Sequence, residues 1–170
     1  MRTYQVILLS FLPVLGCGGG QDLTADAVRS IPAGDATGAS LAGEYAVRVR
    51  VVECAGACGP FSVGIFSSTV CDVGDVDEVS LLVAQDGGRL AIDTDDLPSR
   101  FDGGAFTDGS FDVGGYATQF GGGLEITARS LGVIDASGRL EATVRSRTWG
   151  RIGEQSADCY GVREVVGARR

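Results

Sequence analysis

Leu81-Leu82-Val83-Ala84-Gln85-Asp86-Gly87-Gly88-Arg89-Leu90-Ala91-Ile92-Asp93 has the pattern of a β-hairpin. Asp86-Gly87 at its centre is a dipeptide that tolerates the left-handed backbone of a two-residue type I′ turn. Folding about that pair sets Val83 against Leu90 and Leu81 against Ile92, with Ser80 opposite Asp93 and Ala84 opposite Arg89. Leu81, Val83, Leu90 and Ile92 then share one apolar face, so turn chemistry and side-chain period agree on an antiparallel hairpin.

The same logic extends in both directions. Upstream, Tyr45, Val47, Val49 and Val51 alternate with Glu44, Arg48 and Arg50, the pattern of a half-buried strand. Downstream, Asp108-Gly109 as a two-residue turn pairs Phe106 with Phe111 and Gly104 with Val113. Farther on, a two-residue loop would set Ile126 against Arg147 and mix the faces. A three-residue loop, Ala136-Ser137-Gly138, repairs this, because Gly138 takes the left-handed position that ends such loops. Ile126, Ala128 and Ile134 then join Leu140, Ala142 and Val144 inside, while Glu125, Arg129, Glu141, Arg145 and Arg147 lie outside. With Phe61–Phe66 and Cys159–Gly167 added, the body holds about eight or nine short strands in sequence and no sustained 3.6-residue period. Consecutive hairpins predict an all-β fold, a single antiparallel meander over 43–170 closed as a small up-and-down barrel of about eight strands. An open β-sandwich is the alternative.

The amino terminus has a different character. Arg2 precedes an apolar run from Val6 to Leu15, and Val14-Leu15-Gly16-Cys17 closes it. A charged start, a short apolar core and a small residue before the cut describe a secretory signal, too short to span a bilayer as a helix. The Cys after the small residue resembles the lipobox of bacterial lipoproteins. The resemblance implies that residues 1–16 are a signal peptide, that Cys17 is acylated, palmitate included, and that the bilayer is a partner through those chains. Gly18 after the Cys, with no Asp there, resembles lipoproteins sent to the outer membrane rather than held at the inner one. Residues 17–42 are small, polar and aperiodic, and read as a flexible tether; a helix around Asp22–Arg29 would have little to bury.

Composition excludes several chemistries. The chain has no His and a net charge of −8, and its fourteen cationic residues are all Arg. Without His there is no imidazole base, no His metal ligand and no conventional Ser or Cys triad. Without Lys there is no Schiff base. The acidic balance argues against nucleic acid as a partner. Apart from Cys17 there are four Cys, an even number in an exported chain, which favours two disulfides over a metal site. In a closed barrel Cys54 ends the first strand near the start of the last, so Cys54–Cys159 across the seam with Cys58–Cys71 is one pairing. Cys58–Cys159 with Cys54–Cys71 is the other.

Leu41-Ala42-Gly43-Glu44-Tyr45 resembles the Gly-x-Trp start of lipocalin-like barrels, with Tyr45 in place of Trp. In that family an Arg of the last strand packs over the aromatic ring, and the resemblance nominates Arg163.

Candidate site residues follow from the faces. Arg163 and Glu164 are adjacent on a strand, so one of the two charges faces inward. Trp149, at a strand end, caps the barrel or lines a ligand mouth. Gly104, Ala128, Ser130 and Gly132 would leave room inside. The acidic stretches Asp72–Glu78 and Asp93–Asp96 lack EF-hand spacing and read as turns. Glu125 and Glu141, on the outer face, make no glycosidase pair. The expectation is a non-catalytic envelope lipoprotein without a cofactor. Its partner is a small apolar ligand held in the barrel or, if the barrel is filled, an envelope protein bound at its surface.

Overall fold

A computed structural model describes residues 22–63, 66–96 and 98–170. The strands are β1 (Gly43–Ala57), β2 (Phe61–Val63), β3 (Phe66–Ser68), β4 (Val76–Asp86), β5 (Arg89–Thr94), β6 (Arg100–Ala105), β7 (Ser110–Gln119), β8 (Leu124–Ile134), β9 (Arg139–Ile152) and β10 (Gln155–Arg169). Eight of them close a barrel in the order β1-β10-β9-β8-β7-β6-β5-β4, and β2 with β3 forms a separate two-stranded sheet. Every barrel neighbour is antiparallel, so this is the expected up-and-down barrel rather than an open sandwich. Closure leaves no unpaired edge. Arg48, Arg50, Arg139 and Arg145 are exposed outside while Tyr45, Val47, Leu90 and Leu140 are buried inside, the reverse of a membrane barrel's pattern. No helix of the described residues is long and apolar enough to cross a membrane.

The turns explain which registers were legible. The β8–β9 loop is the expected one, with Ile134 opposite Leu140 and Gly138 at φ +83°. Asp135 Oδ1 accepts from the Ser137 N–H and hydroxyl and from the Arg139 N–H, which holds its carboxyl below the ordinary 3.8, the Ser137 hydroxyl contributing most. The β6–β7 turn uses the same device and corrects the expected pairing. Asp108 Oδ1 accepts from the Ser110 N–H and hydroxyl, Gly109 takes φ +84°, and the loop has three residues. Ala105, not Phe106, therefore faces Phe111, and Val113 faces Gly103. The β4–β5 loop is centred on Gly87-Gly88, so Val83 faces Ile92 and Leu81 faces Thr94. This slides the register without changing either face.

Residues from Asp22 to 42 correct the tether reading; 17–21 lie outside the described residues. Helix α1 (Ala25–Arg29) is capped by the Thr24 hydroxyl, which accepts from the Ala27 N–H at 3.2 Å. Leu23 and Val28 are 2% and 1% exposed against the outer wall, so the helix has a great deal to bury. The Thr127 hydroxyl donates to the Leu23 carbonyl at 2.7 Å, and the Arg29 guanidinium lies 3.8 Å from the Tyr116 ring centroid. Glycine makes this docking sterically feasible: a Cβ on Gly114 would stand 2.3 Å from the Val28 carbonyl oxygen. The chain then runs to the hairpin end, where the Gly34 N–H donates to Gly88, that of Ala36 to Ala105, and that of Gly87 to Gly38. Gln85 completes the join, accepting from the Leu41 N–H at 2.8 Å and donating to the Gly87 carbonyl at 2.9 Å. These contacts centre the β4–β5 loop on its two glycines.

Near this end the barrel is filled. Tyr45 is wholly buried among Leu41, Leu90, Phe111, Ile134 and Leu140. Its hydroxyl donates to the Leu41 carbonyl at 2.8 Å and accepts from Arg169 Nε at 3.1 Å and Nη2 at 2.8 Å. The arginine over Tyr45 is thus Arg169, 5.5 Å from the ring centroid, and not Arg163. Register dictates this, since Arg169 lies opposite Tyr45 and Arg163 opposite Val51.

The other end carries the disulfides, Cys54–Cys71 and Cys58–Cys159, with Cα separations of 5.9 and 4.6 Å. The Cys54–Cys159 and Cys58–Cys71 pairing does not occur. A bulge between Val51 and Glu53 brings Gly161 opposite Cys54 and leaves Cys159 opposite Gly56. Cys71 occupies the space that glycine opens, 3.1 Å from where a Gly161 Cβ would lie. Phe61 packs with Leu124 and Ala157, seating the β2–β3 excursion against the barrel.

Candidate functional site

The half of the barrel toward the disulfides is not filled. Inward positions there carry short aliphatic side chains, among them Val49 on β1, Val79 on β4, Ile92 on β5 and Val144 on β9. Ala128, Ser130 and Ala142 keep the β8–β9 side low. The space they leave is a cavity of about 90 Å³, floored by Phe111, Leu140 and Val165. Thr94, Asp96 and Pro98, from the end of β5 and the following loop, form its rim.

Of the four residues expected to make room, Ala128 and Ser130 line this space. Gly104 does not: the β6 register turns it outward, where a Cβ would meet the Pro32 carbonyl oxygen at 2.7 Å. Gly132 faces inward, but it makes room for the Phe111 ring, whose Cζ would lie 2.6 Å from an added Cβ.

β10 settles the Arg163–Glu164 choice. Val165 is buried and Val166 is 46% exposed, so Arg163 points into the barrel and Glu164 lies outside, exposed. Arg163 Nη1 donates to Ser146 Oγ at 2.8 Å. Among the described residues no carboxylate lies within ion-pair distance of this guanidinium. Ser146 in turn points at the Gly161 carbonyl, 3.5 Å away, a length at which little hydrogen bond remains. The cavity therefore has mostly apolar walls, with Arg163 as its cation, hydroxyls on Thr94, Ser130 and Ser146, and the Asp96 carboxylate at the rim. Ser146 was not singled out from sequence, although continuing the β9 alternation past Val144 places it inside.

Trp149 neither caps the barrel nor lines the cavity. It faces outward, half-buried, opposite Glu125 on β8 and Asp158 on β10. The Arg147 guanidinium lies 5.1 Å from its ring and 5.0 Å from that of Tyr160, and is bidentate to Asp158 at 2.9 and 3.1 Å. That hydrogen-bonded pair holds the Asp158 carboxyl below its ordinary 3.8.

A wider groove of about 430 Å³ lies at the hairpin end between Thr37, Phe106, Asp108, Asp135 and Arg169. Its charged groups are already used, the two aspartates by their turns and Arg169 by Tyr45 and Ser40. Of the acidic stretches, Asp93 pairs with Arg100 at 3.2 Å. Among the described residues no three His, Cys, Asp or Glu side chains converge as metal ligands would. Comparison with protein-family models, curated proteins and solved structures found no match.

Proposed function

We propose that this chain is a bacterial lipoprotein, acylated at Cys17 and held at the envelope, whose barrel is a non-catalytic cup for a small apolar ligand. The cavity toward the disulfide end carries the reading, because a barrel built only for stability gains by filling its interior. The lipobox Val14-Leu15-Gly16-Cys17 supports anchoring, and Gly18 favours the outer membrane over the inner.

Docking of the amino-terminal segment changes what such an anchor does. A tether of residues 17–42 would reach about 90 Å when extended, whereas the five steps from Cys17 to Asp22 span at most about 18 Å. Asp22 lies at the β9 wall, 3.9 Å from Arg145. An acyl group on Cys17 thus keeps that wall close to the bilayer. A second reading, a surface that binds an envelope protein, is favoured by the outward Trp149–Arg147–Tyr160 ladder.

The test is mass spectrometry of the full chain extracted from the envelope of expressing cells, native and denatured. The proposal expects an acylated Cys17 as the new amino terminus and a discrete mass lost on denaturation. Cys17→Ala should release the protein from the membrane fraction. An unmodified Cys17 would overturn the anchor. Equal native and denatured masses would move the function to the outer surface.

A further inference from the structure

We infer that the cup takes a short-chain aliphatic monocarboxylate, its carboxylate on Arg163 and Ser146 and its tail between Val79, Ile92 and Val144. The inference rests on the reading of the barrel as a ligand cup and assigns that ligand its chemistry.

The head group follows from Arg163. A guanidinium has five N–H donors in a planar fork, and among the described residues its one hydrogen bond goes to a neutral hydroxyl. A charge at the edge of an apolar cavity is costly unless an acceptor meets it, and a carboxylate meets the fork with two parallel bonds. Ser146 adds to the match. Its oxygen accepts from Arg163, and its O–H has only the carbonyl at 3.5 Å, so it is free to donate to an anion. One cation suits a single negative charge. A phosphate dianion would need more donors, and the Asp96 carboxylate on the rim works against a second charge.

The tail follows from the walls and the volume. Val79, Ile92 and Val144 offer no hydrogen-bonding group. A cavity of about 150 Å³ accommodates six-carbon benzene, roughly 25 Å³ per carbon. At about 90 Å³ the cup takes three or four carbons beyond the head. Acids around pentanoate therefore fill it.

The experiment titrates full-length protein in lipid nanodiscs with pentanoate, pentan-1-ol and the shorter acids. It follows the methyl resonances of Val79, Ile92 and Val144 and uses empty discs to correct for partitioning. Pentanoate should shift these methyls and bind at least tenfold more tightly than pentan-1-ol, the margin of a charged hydrogen bond over a neutral one. Affinity should rise about fourfold per methylene from propanoate to pentanoate. Arg163→Gln should reduce pentanoate to the level of the alcohol, and Ser146→Ala should weaken the acid alone. Equal binding of acid and alcohol by the unaltered protein would overturn the inference and leave the cup standing. Methyls that respond to neither would overturn both. The acid–alcohol comparison needs no variant, so it holds even if Arg163→Gln does not fold.

Discussion

Removing one oxygen from Tyr45 tests how the barrel is closed at its filled end. The Tyr45 hydroxyl is buried and makes three hydrogen bonds, one to Leu41 and two from Arg169. In Tyr45→Phe the Leu41 carbonyl loses its partner out of reach of water, a cost of about 1–3 kcal/mol. Arg169 is exposed and keeps the Ser40 carbonyl, so its share is smaller. A net loss of about 2 kcal/mol is expected, equivalent to about 4–8 °C in Tm for a chain of this length. The assay is urea unfolding with both disulfides intact, followed by circular dichroism, as a double-mutant cycle with Arg169→Met. Tyr45 and Arg169 should couple by about 1 kcal/mol, while Tyr45→Phe and Arg163→Met should add within about 0.5 kcal/mol. A Tyr45→Phe protein as stable as the parent, or coupling to Arg163 in place of Arg169, would mean that this hydrogen-bond network does not close the barrel.

Further outcomes follow from the same contacts. Replacing Cys58 and Cys159 by Ala should cost more than replacing Cys54 and Cys71. The bridges span 101 and 17 residues, which in the chain-entropy account is about 4.7 against about 3 kcal/mol, read from urea midpoints. Gly114→Val should push α1 off the wall, so that the Val28 amide exchanges with deuterium at the rate of an open chain while β9 and β10 stay protected. Asp135 has a folded-state pKa below its ordinary 3.8, so its stabilising share is complete above about pH 5 and is lost as pH falls through the lowered value. Asp135→Asn should therefore flatten the acid limb of the urea midpoint between pH 5 and pH 2.

The faces of most strands were legible because period two is strict: Tyr45, Val47, Leu81, Val83, Ile126 and Leu140 all point where alternation puts them, whereas on β6 a one-residue shift in register turned Gly104 outward. Registers were legible only where the turn sequence was unambiguous. Asp135-Ala136-Ser137-Gly138 leaves one solution, whereas Asp86-Gly87-Gly88 allows two. The segment that chooses between them, 34–38, lies far away in sequence. Asp108-Gly109 misled because an aspartate followed two residues later by Ser110 builds the longer, side-chain-bonded turn. The docked amino-terminal segment was hidden for a related reason. Its receptor is a set of outward glycines, and an absence of side chains gives no hydrophobic pattern to read. Arg163 was legible as a charge near the barrel axis, but its partner Ser146 was not. The disulfide pairing hung on a bulge at Val51–Glu53 that no residue type announces.

The barrel is hollow toward its disulfide end, and xenon tests this without presupposing a ligand. Crystals of the protein pressurised with xenon should show a strong anomalous peak between Val79, Ile92, Val113 and Val144, because a dry apolar cavity accepts the atom. The peak should appear there and none among Tyr45, Leu90 and Ile134. Side-chain density filling the space, with no xenon at either place, would contradict it.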